Sequence, residues 1–309
     1  MSSIEESVAI LLATYNGEKY ILKQLESIKE QTYTHFVCYI HDDGSTDETI
    51  EIIRAFCMGD YRFKLIDGPR CGGAKDNFFF LMNCIDDEKY IMFCDQDDYW
   101  FQEKIAVCLD AMQKNEKKNE PVCVYSDLEV VDEDLNTICR SFYTYSGKRP
   151  LKNDFTSLIM NNVVVGCTMM INRPLLNISL KRADHQLIYM HDWWLALIAS
   201  ASGKMIYIDR PLILYRQHTD NSVGAVPKKR YVQMMLDFLN YKNYMHNKER
   251  IQRSINFSKA LDLIEINCKY TKLNRKMANI QSHNWLYRAC FFIKNGLIPL
   301  NRIGKILWL

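Results

Sequence analysis

No C-x-x-C pair occurs among the 11 cysteines, and 11 is an odd number. Both facts argue against a disulfide framework or a structural zinc site. Cys38, Cys94 and Cys123 lie inside apolar, strand-like runs. That pattern points to buried, reduced thiols in the cytoplasm. Internal repeats and low-complexity tracts are also absent. With 25% charged and 48% apolar residues, the composition excludes a disordered chain, a collagen and a repeat fibre. Glu5 and Glu6 precede the first short apolar run, the opposite of a secretory leader. Residues 155–172 carry no charge, but Asn161, Asn162 and Gly166 interrupt them. A membrane span needs about 20 mostly apolar residues, so none is expected there.

What is present is a chain of 309 residues, enough for one large domain or two modest ones. Aromatics reach 12%, sufficient for a sizeable core and for stacking surfaces. The net charge of +2 hides a split. Residues 227–309 carry 16 Lys+Arg against 4 Asp+Glu, and residues 1–226 carry 23 against 33. An acidic body with a basic tail is a statement about partners. The natural boundary is the stretch 224–230, with Pro227 and the run Lys228-Lys229-Arg230. The expected division is 1–226 as one domain and 227–309 as a basic helical region.

The first third alternates strand and helix signals. Val8–Thr14 is a buried-strand run, followed by helical spacing from about Tyr20 to Gln31. A second strand, His35–Ile40, ends in Asp42-Asp43-Gly44-Ser45. Ser45-Thr46-Asp47-Glu48 matches a capping box opening a helix to about Phe56. Phe63–Ile66 and Tyr90–Cys94 read as further strands, with a helix near Asp76–Ile85 between them. Such alternation predicts a mostly parallel α/β sheet covered on both faces. Ligands of these sheets sit beyond the carboxyl ends of the strands. Thr14-Tyr15-Asn16, Asp42-Asp43 and Asp95-Gln96-Asp97-Asp98 all fall there, so one common site is expected. The middle is less regular, with strand-like pieces at Val122–Ser126, Cys167–Ile171, Lys204–Ile208 and Leu212–Tyr215, and a helix around Trp193–Ala201. Helical spacing resumes in the tail.

Three carboxylates in Asp95–Asp98 repel one another unless a cation or hydrogen-bond donors neutralise them. A strand end that tolerates this suits a hard divalent metal, Mg²⁺ or Mn²⁺. The plainer reading is a solvated acidic loop. A carboxylate at Asp42-Asp43 is able to accept the N3–H of a uracil or thymine ring, although Asp-Gly and Ser45 also make sense as a turn and helix cap. Asp192 precedes a helical run and fits either an N-cap or a general base. At a helix start the dipole favours its anion, which weakens it as a base. Trp193 and Trp194 offer an acceptor-side wall for a sugar ring, or half of them belongs to the core.

Val8–Asn16, Gln31-Thr32, Asp42–Asp47 (D-D-G-S-T-D) and Asp95–Trp100 (D-Q-D-D-Y-W) resemble the family 2 glycosyltransferases of GT-A fold. Gly166-Cys167-Thr168, His191-Asp192-Trp193-Trp194 and Tyr215-Arg216-Gln217-His218, with Asn221 and Gly224, resemble its bacterial rhamnosyltransferase branch. The resemblance spans roughly residues 7–225. It implies a donor site in which Tyr15 stacks on the pyrimidine, flanked by Thr14 and Asn16, and Asp43 hydrogen-bonds the base. Lys75 and Asn77 would line the pocket, and Asp95 would contact ribose or sugar. Asp97 would hold the divalent metal with His218, Arg216 would clamp charge, and Asp192 would be the catalytic base. The implied reaction is an inverting transfer from a nucleotide sugar, dTDP-rhamnose in this branch, to a saccharide or lipid-linked acceptor of the cell surface. A UDP-hexose donor is the alternative.

Other classes fit less well. A nucleotidyltransferase usually has a Gly-rich phosphate loop near its first strand, and this strand ends in Thr14-Tyr15-Asn16-Gly17. A non-catalytic sugar-nucleotide module should lose Asp97 or Asp192, and both are present. The tail has dispersed Lys and Arg and no nucleic-acid module. Residues 297–309 are apolar, with Arg302, Lys305 and Trp308 interspersed. They suit either a peripheral contact with the inner membrane face or a helix packed back on the domain.

Overall fold

Val8–Thr14 is apolar at six of seven positions and buried along its whole length, as a strand covered on both faces must be. It is the centre from which the sheet grows. In this computed structural model, residues 6–181, 184–218, 225, 241–266 and 268–297 are described. The strands are β1 (Val8–Thr14), β2 (Phe36–Asp42), β3 (Phe63–Leu65), β4 (Tyr90–Asp95), β5 (Tyr99–Trp100), β6 (Val122–Val131), β7 (Thr137–Cys139), β8 (Met169–Asn172) and β9 (Lys204–Arg216). The helices of the body are α1 (Ile21–Lys29), α2 (Thr49–Gly59), α3 (Ala74–Cys84), α4 (Lys104–Asn115), α5 (Phe142–Ser146), α6 (Phe155–Leu158), α7 (Arg173–Ser179) and α8 (His191–Ser202).

The strand order is β3-β2-β1-β4-β8-β6-β9-β5, with β7 paired to β6. β3, β2, β1 and β4 are mutually parallel, and β6 and β9 are parallel to each other. β8 runs antiparallel between β4 and β6, so these six strands all point one way. The mostly parallel sheet expected from the sequence is present. Thr14 pairs with Asp42 and Ala13 with Asp95. This register brings the three polar strand ends side by side.

Two local expectations need correction. No capping box forms at Ser45, because α2 starts only at Thr49 and its N-cap Glu48 makes no side-chain cap bond. The Ser45 hydroxyl instead donates to Asp42 (2.5 Å) and accepts from the Asn16 amide (2.7 Å). The pieces at 204–208 and 212–215 are one strand, β9, whose register against β6 shifts around Asp209–Pro211. A proline cannot donate to a ladder, so an irregularity there is expected. The charge-free stretch 155–172 folds into a four-residue helix, a turn and β8. Among the described residues no helix is long and apolar enough to cross a membrane. All 11 cysteines are free.

The tail contributes helices at Tyr241–Leu263, Thr271–Ala278 and Trp285–Lys294. The first packs into the core of the body: Phe257 is fully buried, 4.9 Å from the Trp193 ring and 6.5 Å from the Trp194 ring. Tyr270 stacks on Phe155 at 4.8 Å. The boundary stretch 226–230 and residues 298–309 lie outside the described residues. Phe257→Ala should therefore destabilise the whole protein by about 3–5 kcal/mol, the usual cost of deleting a buried aromatic. The midpoint of a denaturant titration would report this. A change below about 1 kcal/mol would show that the helix contributes little to the core.

Candidate active site

Gln96 joins the ends of β1 and β4. Its Oε1 accepts from the Thr14 hydroxyl (2.7 Å) and the Tyr15 amide (2.8 Å), and its Nε2 donates to the Tyr15 carbonyl (3.0 Å). Asn16, at φ +48°, joins the ends of β1 and β2: its Oδ1 accepts from the Thr46 amide at 2.9 Å. Thr14 and Asn16 are thus committed to holding the loops. The Tyr15 ring remains 44% exposed, with the Arg70 guanidinium 5.7 Å from its centre.

Asp43 is buried and accepts three backbone N–H groups, from Cys71, Gly72 (3.0 Å) and Gly73 (2.7 Å). Gly72 and Gly73 have φ of +82° and +148°, which lets successive amides turn toward one carboxylate. Asn77 is engaged within the fold. It is buried, and its side chain bonds His41 twice, Oδ1 to Nδ1 at 2.8 Å and Nδ2 to the carbonyl at 3.2 Å. Lys75 donates to the His185 carbonyl at 2.9 Å and so reaches toward the loop before α8.

Asp97 and His218, 121 residues apart, meet with Oδ2 and Nε2 at 2.8 Å. His218 also lies 4.9 Å from the Tyr20 ring. Arg216, read from the resemblance as a charge clamp, is buried. Its Nε donates to the Asp97 carbonyl (2.8 Å), Nη1 donates to the Glu133 carbonyl, and its amide donates to Asp98 Oδ1 (3.2 Å). The guanidinium lies over the Tyr20 ring at 4.6 Å. It braces the acidic loop from behind.

A second group sits deeper. Carboxylate oxygens of Asp95 and Asp98 and the Cys167 sulfur lie within 4.8 Å of one another. Burial, with Asp97 and Asp192 nearby, pushes the Asp95 carboxyl up to about 7. Burial and the same crowding push Asp98 well above the usual carboxylate range. Lys104, also buried, donates to the Cys167 carbonyl at 3.0 Å, 3.6 Å from the centre of the Trp100 ring.

Asp192 lies in the first turn of α8, where Met190 is the N-cap, so Asp192 is not the cap. Its carboxylate accepts from the Trp193 amide (2.5 Å) and from Asn162 Nδ2 (3.2 Å). Its carboxylate is not weakened as a proton acceptor in the way the helix dipole alone would have it. Burial pushes the carboxyl up to about 6, against the lowering effects of the Trp193 amide, Lys148 and Asn162. Trp193 and Trp194 lie in the first turn of the same helix. Both are buried, and their indole N–H groups donate to Leu158 (2.6 Å) and Ser179 (3.1 Å) carbonyls. Both pack into the hydrophobic core in this structure.

Sequence reasoning missed Gln96, Asn162, Lys148 and Cys167 as site residues. Gln96 carried the best signal, since an amide among three carboxylates at a strand end has only polar loops to bond. Asn162 carried a weaker one, as a polar residue in a charge-free stretch.

The pattern of the family described as "Glycosyl transferase family 2" matches residues 9–178. The chain belongs to this family. It is 36% identical over 231 residues to the dTDP-rhamnosyl transferase RfbG of Shigella flexneri, covering 69% of this chain and 74% of that protein. It is 38% identical over 104 residues to the UDP-Glc:alpha-D-GlcNAc-diphosphoundecaprenol beta-1,3-glucosyltransferase WfaP of Escherichia coli, covering 33% of this chain and 39% of that protein. Among solved structures it is similar to the mannosyltransferase PcManGT of Pyrobaculum calidifontis in complex with GDP-Man and Mn²⁺, at TM-score 0.53 and 16% identity, covering 97% of this chain and 78% of that one. The fold is GT-A, and the protein is a glycosyltransferase.

Asp192 yields a prediction with a definite sign. A carboxyl raised in the folded state makes its anion unfavourable there, so its ionisation lowers stability as pH rises from about 4 through about 6. Asp192→Asn should melt at or above the wild-type temperature at pH 8, and the difference should vanish below about pH 4. Calorimetry across pH is the check. A mutant less stable than wild type at pH 8 would mean that the anion is a structural anchor.

Proposed function

We propose that this glycosyltransferase moves rhamnose from dTDP-rhamnose to a hydroxyl of a saccharide or lipid-linked saccharide, with inversion at the anomeric carbon. The observation that carries the reading is the convergence on Asp95, whose charge environment includes both Asp97, paired with His218, and Asp192. Donor-side and base-side groups thus flank one point. The 36% identity to a dTDP-rhamnosyl transferase over 69% of the chain supports the donor. The division into a catalytic domain over 1–226 and a basic region over 227–309 belongs to the same proposal.

Asp97 and His218 fit a divalent metal. An acidic oxygen and an imidazole nitrogen 2.8 Å apart form a mixed O/N donor set that suits Mn²⁺ better than the oxygen-seeking Mg²⁺. The structure of PcManGT, solved in complex with GDP-Man and Mn²⁺, is consistent with this. A bound ion would supply charge stabilisation to a departing diphosphate. The deeper Asp95–Asp98–Cys167 group lies against Lys104 and offers a thiol, a poorer match to a hard ion.

The chain's own residues do the rest. Tyr15 offers a face for the pyrimidine, and Asp43, held by three amides, offers its remaining lone pair to the base N3–H. Asp192 accepts the proton of the acceptor hydroxyl as its oxygen attacks the anomeric carbon. The new C–O bond forms while the bond from that carbon to the phosphate oxygen breaks, and the nucleoside diphosphate leaves. With its carboxyl near 6, Asp192 is ionised at neutral pH yet more basic than an exposed aspartate.

The relative that uses UDP-Glc makes a UDP-hexose the second donor reading, although it aligns with only 33% of this chain. A panel of nucleotide sugars separates the two. Thermal stabilisation and slow hydrolysis with dTDP-rhamnose, but not with UDP-glucose, are expected. The reverse preference would overturn the rhamnose assignment. Asp97→Ala should fold normally, because it removes a crowded carboxylate, and should lose the Mn²⁺-dependent part of donor binding. Unchanged Mn²⁺ dependence would exclude Asp97 as a ligand.

For Asp192→Asn, transfer should fall by about 10²–10⁴-fold, with donor affinity retained. Single-turnover transfer beside donor titration separates chemistry from binding. In the wild-type enzyme the rate should decline as pH falls through about 6. The lipid-linked acceptor reading also implies peripheral contact with a membrane surface through the basic tail.

A further inference from the structure

His191 directly precedes the proposed base, and the mechanism leaves it without a role. It is 4% exposed, and neither ring nitrogen has a hydrogen-bond partner among the described residues. Burial pushes the imidazole down to about 3, so the ring is neutral at working pH and too weak a base to take a proton. Bare buried nitrogens cost stability, a cost that an apolar side chain of similar shape would avoid. What the ring holds is a position.

The ring stands against two elements of the donor side. Its centre lies 4.1 Å from that of Phe78 on α3 and 5.1 Å from that of Phe93 on β4. Phe93 is two residues before Asp95 on the same strand. On a third side is Gly166. A Cβ there would stand 3.0 Å from His191 Nε2 and 3.5 Å from Asp192 Cβ, so glycine lets the main chain seat directly on the imidazole. Gly166 opens the short turn Gly166–Thr168, and the next residue supplies the Cys167 sulfur that meets Asp95 and Asp98. The turn is itself tied down: the Thr168 hydroxyl donates to the Val165 carbonyl at 2.7 Å, and Lys104 donates to the Cys167 carbonyl at 3.0 Å. Two routes therefore connect the start of α8 with the acidic loop, one through Phe93 and one through Cys167. They meet where His191 touches Gly166.

We propose that His191 is a positioning residue for transfer: its ring, seated against Phe78, Phe93 and Gly166, sets the distance between the Asp192 carboxylate and the donor-binding strand end. The inference rests on the reading of Asp192 as the base. The reacting atoms touch Asp192, and His191 acts through the helix start that it anchors. A displacement of about 1 Å at such a distance is enough to cost about 10²-fold in rate.

The test uses the full chain, with Mn²⁺ present, and the slow hydrolysis of dTDP-rhamnose and of UDP-glucose. Water there takes the place of the acceptor hydroxyl: its oxygen bonds to the anomeric carbon, its proton passes to Asp192, and the nucleoside diphosphate leaves. Rates are taken at saturating donor, well below each melting temperature, and per donor-binding site, with donor affinity titrated separately. Gly166→Ala drives its methyl against Nε2, and the Phe78 and Phe93 rings leave the imidazole little room to yield. It should lower the rate at least about tenfold, with donor affinity within about twofold. His191→Ala removes the spacer and should do the same. Should His191→Ala not fold, Gly166→Ala probes the same contact with the ring in place. In the double variant the added methyl meets no ring, so its rate should match that of His191→Ala and not fall by the product of the two losses.

A merely structural role would lower the melting temperature and leave the rate per binding site unchanged. That result in the single variants would overturn the inference, as would losses that multiply in the double variant. Asp192→Asn separates this inference from the reading beneath it. Hydrolysis at the wild-type rate in Asp192→Asn would remove the base assignment and the positioning role with it. Hydrolysis lost in Asp192→Asn but kept in Gly166→Ala and His191→Ala would leave the base standing and remove the positioning role alone. Hydrolysis of UDP-glucose only would correct the donor and leave both readings in place.

Discussion

Arg216 is the side chain on which the acidic strand-end cluster depends. It is buried, and a buried guanidinium is costly unless its donors are satisfied. Its bonds run to the Asp97 and Glu133 carbonyls, and its face rests on Tyr20. Its amide also meets Asp98. One residue at the end of β9 therefore fixes the acidic loop after β4 and the turn after β6. His218, two residues further on, is delivered to Asp97 as a consequence. Without a cation at this depth, the Asp95–Asp98 cluster would be a set of repelling carboxylates with little reason to hold one shape.

The same crowding explains why carboxylates in this site differ so widely. Asp43 keeps three amide donors on its oxygens and is held as an acceptor. Asp95 and Asp98 are raised because burial acts together with their neighbours' charges. Asp192 is raised mainly by burial, and two hydrogen bonds plus Lys148 offset only part of that. Location on one side of a sheet or at one helix end did not determine these outcomes. The balance between desolvation and donors did, and donors such as Asn162 come from distant sequence.

That balance also marks how far the sequence was legible. The parallel half of the sheet was readable because β1, β2 and β4 are apolar runs that end in polar clusters. Their register then places Thr14, Asp42 and Asp95 side by side. The meeting of Asp97 with His218 came from motif resemblance, since no spacing rule links residues 121 positions apart. The capping box at Ser45 failed because Asp42 and Asn16 competed for the same hydroxyl. The burial of the two tryptophans was not legible, because an indole suits a core and a sugar face equally. The choice was made by Phe257, from a tail helix whose packing partners carry no local signal.

The role of Phe257 joins the tail to the chemistry. Trp193 follows Asp192 directly, and its indole is held by the Leu158 carbonyl and packed against Phe257. Tyr189, three residues before Asp192, lies under the Arg253 guanidinium of the same tail helix at 3.9 Å. The turn bearing the proposed base is thus gripped by the helix Tyr241–Leu263. A basic extension read from composition alone looks like an appendage. Its first helix instead packs against Trp193, the neighbour of Asp192, whose carboxyl is raised by burial. The last described helix faces outward with Trp285 and Leu286. One region therefore grips the turn that carries Asp192 at one end and is partly exposed at the other.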